Sequence, residues 1–255
     1  QILQNIVLKT RIIPVMLLKD GYFVKTKKFK DPEYVGDPLN IVKIFNDKEV
    51  DEITVFDIGA SDTNDSINYK LVENIASNAR MPLCYGGGIT NIDQVEKLFS
   101  LGIEKISISR SFIKNPDLLD VIIKKFGSQS VAVTIDIYKD MNNNYIINNY
   151  KSKNETECIN FIKLLSSYKV GEIIINCINK DGTKEGYDIN LIDLVYNITN
   201  TPITIVGGAK SYEEIINISN KYPILGFGVG SLFIYKGKNK AVLISYPKEH
   251  SKKIN

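Results

Sequence analysis

Short apolar segments rich in β-branched residues alternate along this chain with longer segments whose apolar residues recur three and four apart. No other feature constrains the fold as tightly. A side-chain period of two marks a strand and one of 3.6 a helix, and regular alternation of the two requires crossover connections that leave the strands parallel. The strand pattern occupies residues 11–17, 53–58, 82–85, 105–109, 131–137, 172–176, 203–206 and 225–229. The helical pattern occupies 38–45, 68–79, 91–101, 116–126, 155–168, 190–198 and 212–220. Eight strands separated by seven helices predict an α/β fold, a (β/α)8 TIM barrel, and 255 residues suit one such domain over the whole of 1–255, with its core at about 11–235. Residues 241–246, Ala-Val-Leu-Ile-Ser-Tyr, are β-prone where an eighth helix would stand, so an irregular closure is expected, with 236–255 as a polar tail. Residues 140–150 break the pattern after the fifth strand and read as a hairpin turning on Asn142-Asn143-Asn144.

The third and seventh strands run into matching sequences, Pro82-Leu-Cys-Tyr-Gly-Gly-Gly-Ile-Thr-Asn and Pro202-Ile-Thr-Ile-Val-Gly-Gly-Ala-Lys-Ser. The strands that follow them also correspond, one ending at Ser109 and the other at Gly230-Ser231. Two half-barrels of four βα units would set these loops opposite each other at one mouth. Gly87-Gly88 and Gly207-Gly208 let an anion approach the backbone, and the helix after each offers unpaired N–H groups. Either loop alone reads equally well as a tight turn needing positive φ; the duplication points to a ligand with two phosphates, Arg110 adding charge at the first site. Asp57, Asp136 and Asp181 fall at or just past the C-terminal ends of strands, the face where such barrels do chemistry, and are candidate proton-transfer groups. Asn176 ends the sixth strand on the same face. The plainer alternative, a capping or turn aspartate, is strongest for Asp181 in Lys180-Asp181-Gly182 and weakest for Asp136 in Thr134-Ile135-Asp136-Ile137. Lys25 lies in a long loop after the first strand, within Lys25-Thr-Lys-Lys-Phe-Lys30, where mobile basic residues could cover an anionic substrate; a solvated surface is the default for the rest of that run.

A lone histidine, His250, removes most zinc sites and histidine-activated nucleophiles, leaving proton transfer to carboxylates, lysines or tyrosines. Cys84, Cys158 and Cys177 lack metal-ligand spacing and an even count, which suits a reducing cytoplasm, and neither a metal nor another cofactor is called for. A formal charge of +3 is too small to imply nucleic acid, no apolar run approaches the roughly 20 residues of a membrane span, and the first residues carry no signal-peptide pattern. At the opposite ends of the strands, Arg11, Glu52, Lys105 and Glu172 open the first, second, fourth and sixth. They are either surface charges or, being balanced in sign, a ring of ion pairs across the barrel floor.

At these residues the chain resembles the cyclase subunit of imidazole glycerol phosphate synthase, from about Arg11 to Phe233. The likeness is carried by Arg11-Ile-Ile, Lys19-Asp20-Gly21, Gly36-Asp37-Pro38, Asp51-Glu52, Phe126-Gly127-Ser128-Gln129 and, most specifically, Asp181-Gly-Thr-Lys-x-Gly-Tyr-Asp188. The resemblance implies that Gly88, Ser109, Gly182, Gly208 and Ser231 help hold phosphates. It also implies that Arg11, Glu52, Lys105 and Glu172 form a gate, admitting ammonia from a glutaminase docked on the N-terminal face. The family uses two catalytic aspartates; Asp136 matches one, and Leu17 stands where the other is expected. Ser109-Arg110 likewise replaces the usual Asn-Thr. With Lys25-Thr-Lys-Lys-Phe-Lys30 and Tyr235-Lys-Gly-Lys-Asn-Lys-Ala-Val-Leu-Ile, these departures resemble a divergent branch from surface-polysaccharide pathways. There the ammonia serves to turn an N-acetyl sugar group into an acetamidino group, with an N-acetyl sugar amidotransferase as a further partner. Three functions stay open: that amidination, the histidine-pathway cyclisation with Asp20 or another group replacing the missing aspartate, and a non-catalytic role as activator of the glutaminase. An isomerase of the neighbouring histidine step fits less well, having no use for a floor gate.

Overall fold

Alternate residues of each strand segment face a barrel interior and a layer of helices, so neither face is solvated and the strands read as apolar throughout. A computed structural model describes residues 10–62, 67–148, 150, 152–237 and 241–247; His250, most of the tail and residues 1–9 lie outside the described residues. The strands are β1 (Arg11–Lys19), β2 (Ile53–Asp57), β3 (Leu83–Gly86), β4 (Lys105–Ile108), β5 (Val131–Lys139), β6 (Glu172–Cys177), β7 (Ile203–Val206) and β8 (Gly226–Val229). Each pairs in parallel with the next, and β8 pairs back onto β1 with Arg11 opposite Gly226 and Pro14 opposite Val229, which closes the expected TIM barrel.

Seven helices stand between the strands: Pro38–Asp47, Tyr69–Asn78, Ile92–Ser100, Asp117–Phe126, Glu155–Ser167, Ile189–Tyr196 and Tyr212–Lys221. Six starts are dictated locally, since Asp37, Asn68, Asn91, Asn154, Asp188 and Ser211 each cap the backbone N–H three residues on. Such a cap contributes about 1 kcal/mol. The buried faces, for example Ile41, Val42 and Phe45, or Leu118, Leu119 and Ile122, belong to the apolar core, each side chain stabilising by roughly 2 kcal/mol.

Three short helices, Ile58–Asp62, Arg110–Lys114 and Ser231–Ile234, follow β2, β4 and β8 and are too brief to leave a period in the sequence. The expected long loop after β1 is instead a β-hairpin, Tyr22–Lys27 against Lys30–Gly36, with Leu17 of β1 opposite Val24. Its turn places Lys28 and Phe29 at φ 53° and 61°, a left-handed geometry with no Gly or Asn to announce it. The hairpin after β5 forms as expected, Tyr145–Ile147 pairing antiparallel with residues 137–139. The closure is irregular too: Tyr235–Lys236 pairs with Ala241–Val242, and the chain then runs back along the short helix Ser231–Ile234, with no eighth long helix among the described residues.

Candidate active site

Glu172 opens β6 and is only 3% exposed. Lys105 Nζ donates to its carboxylate at 2.7 Å and Arg11 Nη2 at 3.3 Å, and Thr204 Oγ1 donates to it as well. Arg11 meets Glu52 in a two-pronged pair, Nε to Oε1 at 2.9 Å and Nη2 to Oε2 at 3.1 Å. These four charges form one neutral network at the N-terminal end of the barrel, so they are a ring across the floor and not scattered surface charges. Burial alone would raise the Glu172 carboxyl, but Lys105 and Arg11 outweigh it and hold the group below its usual range. Burial would likewise lower Arg11 and Lys105; the neighbouring carboxylates reverse that and keep both cationic.

Above this floor, small and hydroxyl-bearing residues share the interior with Ile13, Val15 and Ile174, branched residues of the kind such barrels usually stack. Cys84 sits opposite Lys105 in register and bonds to Thr54. Ser107 and Thr134 share a hydroxyl hydrogen bond at 2.6 Å. A Cβ on Gly226 would lie 2.2 Å from Thr204 Oγ1, so glycine is required there. Burial pushes the Cys84 thiol up to about 12, which leaves it a small neutral wall group, unreactive while it stays buried.

At the other end a cavity of about 780 Å³ opens among the C-terminal ends of the strands. Gly87, Gly88, Ser109 and Arg110 border it after β3 and β4, and Gly182, Gly207, Gly208, Gly230 and Ser231 after β6, β7 and β8. Gly87, Gly88, Gly207 and Gly208 all have positive φ, and a Cβ would lie 2.2 Å from Asp57 O at Gly87 and 2.3 Å from Gly186 O at Gly208. The tight-turn reading of these glycines therefore holds, and all four line the cavity. Leu17 and Phe56 are register partners on β1 and β2, and both line the cavity, giving it one apolar wall. Across the ring stand Thr134, Asp136 and Asn176 on β5 and β6.

The three candidate aspartates separate by what their carboxylates already hold. Asp136 lines the cavity and accepts from Asn176 Nδ2 at 2.9 Å. Asp57 is buried, accepting from Ala60 N at 2.9 Å and Tyr85 OH at 3.0 Å; burial raises its pKa while those donors oppose the rise. Asp181 accepts from Thr26 Oγ1 at 2.7 Å and Phe29 N at 3.0 Å, and its carbonyl accepts from Lys28 N at 3.1 Å. It fastens the β1 hairpin across the mouth. All three line the cavity, but Asp57 and Asp181 also hold local structure, whereas Asp136 is held by a side-chain amide on the neighbouring strand.

Lys25 is a strand residue of that hairpin, not part of a mobile loop. It is 6% exposed, donates to Val15 O, and has its pKa lowered by burial to about 8, with Asp181 opposing the fall. A Cβ on Gly230 would lie 2.5 Å from Lys25 Nζ, so glycine there makes room for the amine at the cavity wall. An anion in the cavity would favour the protonated amine.

A family model described as "Histidine biosynthesis protein" matches residues 11–240. The chain belongs to this family. It is 46% identical over 243 residues to a protein of Leptospira borgpetersenii named, provisionally, imidazole glycerol phosphate synthase subunit HisF, covering 94% of this chain and 96% of the relative. A Vibrio vulnificus protein, provisionally the hisF3 subunit of the same synthase, is 42% identical over 250 residues, 96% of each chain. A Streptococcus mutans protein named imidazole glycerol phosphate synthase subunit HisF, without that reservation, is 32% identical over 245 residues, 95% of this chain and 98% of the relative. This is a HisF-like cyclase-family subunit. Among the described residues no helix is long and apolar enough to cross a membrane, and no group of three His, Cys, Asp or Glu could hold a metal.

Some site residues of this HisF-like barrel escaped the sequence reading. Thr54, Phe56 and Ser107 were legible in principle, because residues two and four beyond a floor charge on the same strand face the same interior: Glu52, Thr54, Phe56, and Lys105, Ser107, Ser109. Thr26 and Tyr85 had no such signal. Their partners Asp181 and Asp57 lie 155 and 28 residues away.

Proposed function

We propose that this barrel is the ammonia-accepting synthase subunit of a glutamine amidotransferase complex. The observation that carries the reading is a neutral network of ion pairs at the N-terminal end of the barrel and an anion-suited cavity at its C-terminal mouth. A glutaminase docks over Arg11, Glu52, Lys105 and Glu172, and these residues gate the bore. Ammonia is small and neutral when deprotonated, and Thr54, Ser107, Thr134 and Thr204 offer it hydrogen bonds on the way up. A phosphorylated acceptor lies between Gly87, Gly88, Ser109 and Arg110 on one side and Gly182, Gly207, Gly208, Gly230 and Ser231 on the other. Lys25 adds positive charge, and Asp136, oriented by Asn176, moves the proton as the nitrogen adds.

The apolar Leu17–Phe56 wall favours an acceptor handled with one carboxylate over a cyclisation needing two. It supports conversion of an N-acetyl sugar to its acetamidino derivative in surface-polysaccharide synthesis, together with an N-acetyl sugar amidotransferase. The second reading, imidazole glycerol phosphate synthesis in the histidine pathway, is supported by the paired anion loops, by Asp136 and by the names of the relatives. Supplying purified barrel with ammonium and the histidine-pathway bisphosphate ribonucleotide separates the two: turnover would establish the cyclase and sink the sugar reading. Asp136→Asn separates both from a pure activator of glutaminase. Product should vanish while glutaminase stimulation stays; retention of product would remove Asp136 from the chemistry.

A further inference from the structure

Where an eighth helix would stand, the chain runs as an extended strap over residues 243–246. Leu243 N donates to Ile234 O and Ser245 N to Phe233 O, both at 2.8 Å, so the strap hangs on the short helix that borders the mouth. Tyr246 is buried, and its ring packs edge-on against Phe233 with centroids 5.4 Å apart. Its hydroxyl donates to Ile12 O at 3.2 Å, and Asp51 is among the groups close enough to perturb it. Ile12 and Asp51 are the chain neighbours of Arg11 and Glu52, whose two-pronged pair makes half of the floor network although they lie 41 residues apart. One phenol oxygen is therefore bonded to the backbone beside Arg11 and stands near the residue that precedes Glu52. A side chain needed only for filling would do as well as phenylalanine, with no hydroxyl to desolvate.

We propose that Tyr246 is a positioning residue for the floor gate, holding the starts of β1 and β2 at the separation that keeps Arg11 and Glu52 paired and the bore closed at rest. The inference rests on reading the four charges as a gate. Cys84 supplies a reporter, because it lies inside the bore opposite Lys105, whereas Cys158 belongs to the helix Glu155–Ser167 and Cys177 ends β6. The experiment is labelling of the full chain with methyl methanethiosulfonate, followed at each cysteine by mass spectrometry. Tyr246→Phe keeps the ring and removes the hydroxyl. It should speed labelling of Cys84 by about fivefold and leave Cys158 and Cys177 unchanged, since one hydrogen bond is lost at the floor alone. Arg11→Ala tests the gate itself and should speed Cys84 at least as much. Faster labelling of all three thiols in Tyr246→Phe would mean general loosening and overturn the positioning role. So would an unchanged Cys84 in Tyr246→Phe beside a faster one in Arg11→Ala. If Arg11→Ala also left Cys84 unchanged, the gate reading would fall and the inference with it.

Discussion

Replacing Glu172 with Gln keeps the shape of the floor and removes one negative charge from beneath two cations. Lys105 then loses its 2.7 Å partner, and Arg11 loses its 3.3 Å partner but keeps the paired contact to Glu52. Breaking a buried ion pair from one side costs roughly 3–5 kcal/mol. The Arg11 and Lys105 side chains are 36% and 23% exposed, so water can partly compensate them, and the lower end, about 3 kcal/mol, is expected. For a chain of this size that corresponds to a fall in Tm of about 6–12 °C, measurable by calorimetry. The pH dependence follows from the depressed Glu172 pKa. A carboxyl lowered in the folded state contributes stability above its unfolded value of about 4.3 and loses that contribution as pH falls through the folded value. The gap between wild type and Glu172→Gln should therefore be full at pH 7 and shrink below about pH 4. Adding Lys105→Met should recover part of the loss, because the stranded cation goes with it. Equal stability of the variant at pH 7, or a gap untouched by acid, would refute the reasoning.

Gly87→Ala places a Cβ 2.2 Å from Asp57 O at φ 125° and should cost more than about 2 kcal/mol, whereas Gly127→Ala, at φ 83° with nothing within 4 Å, should cost only about 1 kcal/mol; thermal melts of the two variants give the contrast, and equal losses would contradict it. Lys25→Met removes a buried amine whose folded pKa of about 8 lies below its unfolded value. Between those values the unfolded chain binds more protons, so wild-type stability should climb with rising pH and the Met variant should lack that climb. At pH 7 the variant should be more stable by about 1–2 kcal/mol while binding inorganic pyrophosphate more weakly, as read by denaturation and calorimetry; a less stable variant would show that the amine is better paired than its burial implies.

The barrel was legible because every part of it repeats: eight strand segments, seven amphipathic helices and six N-caps each carry a local signal. The floor network was legible only as a choice between surface charge and ion-pair ring, since sequence gives each charge a strand and a position along it but not the inward rotation that brings Glu172 to both Arg11 and Lys105. The β1 hairpin was missed for a physical reason. Its turn uses Lys28 and Phe29 at positive φ, a conformation held by contacts to Asp181 and not encoded by glycine or asparagine. Lys25 changed character with it, from a mobile loop residue over the substrate to a buried amine on a strand at the cavity wall. Asp57 and Asp136 look alike in sequence and both line the cavity, and only their partners distinguish a carboxylate bonded by Ala60 and Tyr85 from one bonded by Asn176.

The central claim is that this barrel receives ammonia from a glutaminase docked on its floor. Glutamine hydrolysis by the cognate glutaminase, measured alone and then with an equimolar amount of the purified barrel, tests it most directly. The account predicts a complex in which hydrolysis is faster, and loss of that complex when Arg11 and Glu172 are both replaced by alanine. A glutaminase that neither binds the barrel nor changes its rate would contradict it.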